Sequence, residues 1–116
     1  MTIKECYDLL GADYNDVVIR LGGEERVARF LPKLVADPSF NTLIEAFANQ
    51  DWEGAFRASH TMKGIYANFS LTELQASSAL LCEMLRPGVY NPDAAAQLEV
   101  VKADYAKVMN AFSKIG

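Results

Sequence analysis

Apolar residues recur along this chain at alternating steps of three and four, and no stretch alternates at steps of two over the length of a strand. That spacing places them on one stripe of an α-helix. The C-terminal segment shows it most clearly, with Leu98, Val101, Tyr105, Val108 and Phe112 in one line. An all-α fold follows, and the breaks in the pattern give its parts. Two short segments, Thr2–Leu10 and Asp13–Leu21, open the chain, punctuated by Gly11 and by Gly22-Gly23. A helical stretch from Glu24 to Ala36 contains Pro32, which should kink it or move its start. After Asp37-Pro38-Ser39 comes a helix with Phe40, Leu43, Ile44 and Phe47 on one side, ending near Asn49.

The next helix is expected over about residues 51–68, with Asp51 as N-cap and Asn68 as a left-handed closing residue. Ser70-Leu71-Thr72-Glu73 reads as a capping box that starts another, with Leu74, Ser78, Leu81 and Leu85 inside. Arg86-Pro87-Gly88 stops it. Asn91-Pro92 then supplies an N-cap and a proline at the first helical position. Substantial amphipathic segments with short connections predict an antiparallel four-helix bundle with short accessory N-terminal helices. Its 116 residues suit one domain with one core, spanning 1–116.

Composition removes several function classes. The net charge of −4 and scattered Lys and Arg argue against nucleic acid, which calls for a basic patch. No apolar run approaches a membrane span, and MTIKECYDLLGADYND lacks the basic and apolar regions of a signal peptide, so a cytoplasmic location is expected. Cys6 and Cys82 form no CxxC pair and read as half-buried thiols in a reducing compartment. With a single histidine, a zinc site built on imidazoles is nearly excluded, and no bound metal or cofactor is expected.

That lone histidine is His60. On a helix over 51–68, Ala55, Ser59, Met62, Tyr66 and Phe69 line the core face, and His60 lies roughly 140° from its centre. Glu53, Arg57 and Gly64 share the outer side. One turn on from His60 stand Lys63, Gly64 and Ala67, so the imidazole has a cation on one flank and little bulk above it. A mid-helix glycine costs up to about 1 kcal/mol relative to alanine, and close approach of another molecule to His60 would account for it. Imidazole has a reference pKa near 6.5, so much of it is nucleophilic at cellular pH. Once phosphorylated it carries a dianion-like group, which a lysine can offset as a point charge. No GxxxxGK[ST], GxGxxG or magnesium-binding carboxylate pair is present, so ATP activation must lie elsewhere. An exposed histidine on a helix is also ordinary surface.

At these residues the chain resembles the histidine-containing phosphotransfer (HPt) domain family. Ala55-Phe56-Arg57-Ala58-Ser59-His60-Thr61-Met62-Lys63-Gly64 is similar to its signature, a small-residue approach followed by His-x-x-Lys-Gly. Arg20-Leu21-Gly22-Gly23 and the Leu74…Leu81…Glu83 helix extend the resemblance over roughly residues 13 to 112. The chain departs from the pattern at Ile65 and Tyr66, where small residues are common, and at Ser70, where glycine is usual.

The resemblance implies a phosphorelay carrier without its own ATP site, not an autonomous enzyme. His60 would be the phosphoacceptor, Lys63 would stabilise the phosphoryl charge, and Gly64 would leave room for the partner. The partners would be receiver domains of response regulators or of hybrid sensor histidine kinases, each supplying the aspartate and the Mg²⁺. The carrier is expected to be a monomer. Phe56, Arg57 and Ala67 are candidate docking residues, and Glu24–Ala36 is a candidate source of others that the sequence does not single out. Phe56 has a competing role, packing on the preceding helix, and Arg57 reads first as a solvated charge. Trp52 reads as core. The alternative function is a receiver-binding module of the same fold that takes no phosphate. A kinase dimerisation domain lacks room for an ATP domain, and a cofactor-binding bundle lacks Glu-x-x-His pairs.

Overall fold

Seven helices account for most of the chain: α1 Ile3–Leu9, α2 Tyr14–Leu21, α3 Glu24–Ala36, α4 Ser39–Ala48, α5 Trp52–Asn68, α6 Thr72–Leu85 and α7 Pro92–Phe112. The structure is a computed structural model describing residues 1–116. Short polar side chains set several of the starts. Thr2 accepts from the Glu5 backbone N–H at 3.1 Å, and Glu5 accepts from that of Thr2 at 2.9 Å, a capping box before α1. Asp13 and Asp51 cap α2 and α5 by accepting from the Asp16 and Gly54 backbone N–H groups, at 3.1 and 2.9 Å. Asn91 caps α7, with Pro92 at its first position.

Helices α4 to α7 form the bundle. Each of α4–α5, α5–α6 and α6–α7 packs along its length, and stacked Phe40 and Tyr105 rings, 3.8 Å between centroids, join α4 to α7. The core takes Leu43 from α4, Met62 and Tyr66 from α5, Leu81 and Leu85 from α6, and Val101 and Phe112 from α7. The inward face of α5 is mostly small (Gly54, Ala55, Ala58, Ser59), which lets its neighbours approach closely. Helices α1 to α3 are joined to this core at the far end of α5. The Tyr7 hydroxyl donates to the Phe69 carbonyl at 2.7 Å, and the Cys6 thiol donates to that of Ala111 at 3.2 Å. Both cysteines are fully buried, deeper than the half-burial the sequence suggested.

Two boundary expectations need correction. Pro32 does not move the start of α3, which runs unbroken from Glu24 to Ala36. Pro32 and Ala28, whose carbonyl loses its donor, are both exposed, so water can replace the missing bond. Asn68 remains helical, and the left-handed residue is Ser70, at φ +55°. The turn closes where the Leu71 N–H returns to the Tyr66 carbonyl at 3.0 Å, which places the left-handed position at 70. Ser70 therefore does not cap α6. Its hydroxyl donates instead to Asp16 Oδ2 at 2.6 Å, tying the α5–α6 turn to α2, and Leu71 occupies the N-cap without a side-chain bond.

Candidate functional site

Helix α5 packs between α4 and α6, so its third side faces solvent. Glu53, Arg57, His60 and Gly64 are all exposed there, while Ala55, Ser59, Met62 and Tyr66 are buried. The helical register places His60 near the middle of α5, opposite the core stripe. Asp51 fixes that register at the helix start, and the α5–α6 turn fixes it at the end.

The imidazole meets the edge of the Phe56 ring, with centroids 6.0 Å apart and planes at 65°. Phe56 is half-buried. The Arg86 guanidinium, at the end of α6, stands 5.2 Å from the Phe56 centroid. Lys63 and Ala67 are half-buried, beside the exposed Gly64. Arg57 is exposed, and its carbonyl accepts from the Thr61 hydroxyl at 3.1 Å. Trp52 is half-buried against Phe47 and Tyr90 rather than in the deep core. Helix α3 lies further along, where Phe30 and Leu34 share a groove with Ile65 and Phe69.

The two glycines of α5 differ in kind. A Cβ on Gly54 would collide with the Asp51 carboxylate that caps the helix, so the cap itself requires glycine there. A Cβ on Gly64 would meet nothing within 4 Å. Packing does not account for Gly64, and the space above it opens beside His60.

Sequence reasoning did not place Glu83 and Arg86 at the site. Arg86 Nε and a terminal guanidinium nitrogen donate to the two Glu83 carboxylate oxygens at 3.1 and 2.7 Å. The Arg86 hydrogen bonds hold the Glu83 carboxyl below its ordinary value, and the nearby charge of Lys63 adds to the effect. The Glu-x-x-Arg spacing at the end of α6 was visible as a helix pair, but nothing in it disclosed that α6 turns this pair toward α5.

These features define an all-helical bundle whose one histidine stands on the outside of a helix, within reach of another macromolecule. The model of the Hpt domain family matches residues 35–111, about two thirds of the chain, and the chain belongs to that family. The match begins at the end of α3 and takes in α4 to α6 and all but the last residue of α7, so Arg20-Leu21-Gly22-Gly23 lies outside it. Comparison with curated proteins and with solved structures finds no match. Hpt domains are phosphotransfer modules of two-component signalling, carriers rather than catalysts, and they interact with receiver domains. No helix is long and apolar enough to cross a membrane.

Proposed function

We propose that this chain is a phosphorelay carrier that accepts a phosphoryl group on His60 from a receiver-domain aspartate and returns it to another. In the forward step the lone pair of the unprotonated ring nitrogen attacks phosphorus. The acyl P–O bond breaks, its electron pair returns to the aspartate as a carboxylate, and the second ring nitrogen keeps its proton. The receiver brings Mg²⁺ with its aspartate. Lys63 offsets the charge of the phosphoryl group on His60, and Gly64 with Ala67 leaves space for the receiver's active site. Phe56 and Arg57 lie where a docked receiver would touch α5.

The observation that carries this reading is the open space at Gly64 beside an exposed imidazole. Neither feature serves the packing of the bundle, and both serve the approach of a partner. The test is transfer from a phosphorylated receiver domain to the chain. An acid-labile, alkali-stable label should appear on the wild type and be absent from His60→Gln. Equal labelling of His60→Gln would refute the assignment.

A further inference from the structure

The site carries more charge than its signature residues supply. Arg86 is 5.2 Å from the Phe56 centroid, which is itself 6.0 Å from that of His60, so guanidinium and imidazole are at most about 11 Å apart by the sum of the two. Arg86 and Glu83 are half-exposed, at 52% and 58%. An ion pair so wetted is weak, and its partners can separate without any repacking of the core. Lys63 is close enough to act on the same carboxylate.

We infer that Arg86 is a second cation of the phosphoryl site, held in reserve by Glu83 and released toward the phosphoryl group once His60 is charged. The inference rests on His60 being the phosphoacceptor. Before transfer, one carboxylate faces two cations, Lys63 and Arg86. A phosphoryl group adds a charge of about −2 and several acceptor oxygens. It therefore outcompetes the single charge of Glu83 for a guanidinium, whose planar fork suits phosphate oxygens. The Phe56 ring, which the imidazole also meets, holds the guanidinium while it waits. Arg86 is thus a positioning charge for the phosphorylated state, and Glu83 opposes it.

The experiment measures the equilibrium distribution of phosphate between this chain and a receiver domain, using wild type, Arg86→Ala, Arg86→Lys and Glu83→Gln. That ratio compares free species, so a change in docking affinity alone does not move it. Arg86→Ala should shift it toward the phosphorylated receiver by about three- to tenfold, the scale of one lost charge-assisted contact. Arg86→Lys should recover part of the shift. Glu83→Gln should move the ratio the opposite way, because it frees both cations. Raising the salt concentration should shrink every shift. If Arg86→Ala and Glu83→Gln move the ratio in the same direction, or neither moves it, Arg86 is only a surface partner of Glu83 and the inference is overturned. If wild type takes no label, or His60→Gln takes it equally, the carrier reading fails first and this inference falls with it.

Discussion

Gly64→Ala should make this protein more stable and a worse carrier. Gly64 lies inside α5, is exposed, and has open space where a Cβ would stand. The substitution therefore gains helix propensity without a steric cost, about 0.5–1 kcal/mol. Unfolding entropy near 2.1 cal/mol/K per residue gives roughly 0.24 kcal/mol/K for 116 residues, so the melting temperature should rise by about 2–4 °C. The added methyl group would occupy the space through which a receiver must bring its aspartate to His60. Displacing a reacting pair by about 1 Å can cost on the order of 100-fold in rate. Transfer should slow by about threefold or more in Gly64→Ala, and by about tenfold or more in Gly64→Gln, which keeps good helix propensity but adds reach. Thermal unfolding by circular dichroism and single-turnover transfer from one receiver measure the two effects separately. A lower melting temperature for Gly64→Ala would mean that the fold needs the glycine. Unchanged transfer in both variants would mean that the space above His60 has no part in docking.

The other glycine of α5 should respond with the opposite sign. Gly54→Ala should lower the melting temperature despite its better helix propensity, because the Cβ would run into the Asp51 cap. Asp51→Ala, which removes the 2.9 Å bond to the Gly54 N–H, should cost about 1 kcal/mol, and Asp51→Ser should recover much of it. A neutral Gly54→Ala would contradict the cap geometry. Buried Tyr7 should make the protein sensitive to alkali. Burial raises its hydroxyl far above the ordinary value of 10.0, as it does for Tyr66. The unfolded state then loses its protons first, so this stability is complete below about pH 10 and declines as pH rises above it, by up to about 1.4 kcal/mol per pH unit for each such group. Tyr7→Phe should cost about 1–2 kcal/mol at neutral pH through the lost bond to the Phe69 carbonyl, and should flatten the alkaline decline. Urea titrations at about pH 7, 9 and 11 read both effects, and an alkaline decline as steep as that of wild type would sink the assignment.

Much of this architecture was legible because helix periodicity is a local property. The stripes of α5, α6 and α7 were read from spacing alone, and Ser59, Met62, Tyr66, Leu81 and Leu85 are buried as their positions required. The exposure of His60 followed from the same wheel. Turn chemistry was harder. Asn68 and Ser70 both suit a helix end, and the choice between them was made by the Leu71-to-Tyr66 closure and by the bond from Ser70 to Asp16, 54 residues earlier in the chain. No local pattern contains that partner. The same limit hid Arg86. Its pairing with Glu83 is local, but its place over Phe56 depends on how α6 is rotated against α5, which is settled by burial of Leu81, Cys82 and Leu85 on the opposite side. Gly54 was also passed over, since a glycine beside a cap resembles any other until the carboxylate is placed.

The charge around His60 runs against that of the molecule as a whole. The chain carries a net charge of −4. Beside His60 the balance changes sign: Arg57, Lys63 and Arg86 give three positive charges against two from Glu53 and Glu83. On the proposed reading, this local surplus would favour approach of a receiver's acidic active site here, with an effect that extends about a Debye length, near 8 Å at physiological salt. The surplus is small, and this matters for a carrier that must give up what it takes. A strongly basic pocket would hold the phosphoryl group too well to pass it on. If His60 is the phosphoacceptor, a surplus of only one charge, adjusted by the weak Glu83–Arg86 pair, would favour the phosphorylated state less than a strongly basic pocket and so would ease onward transfer.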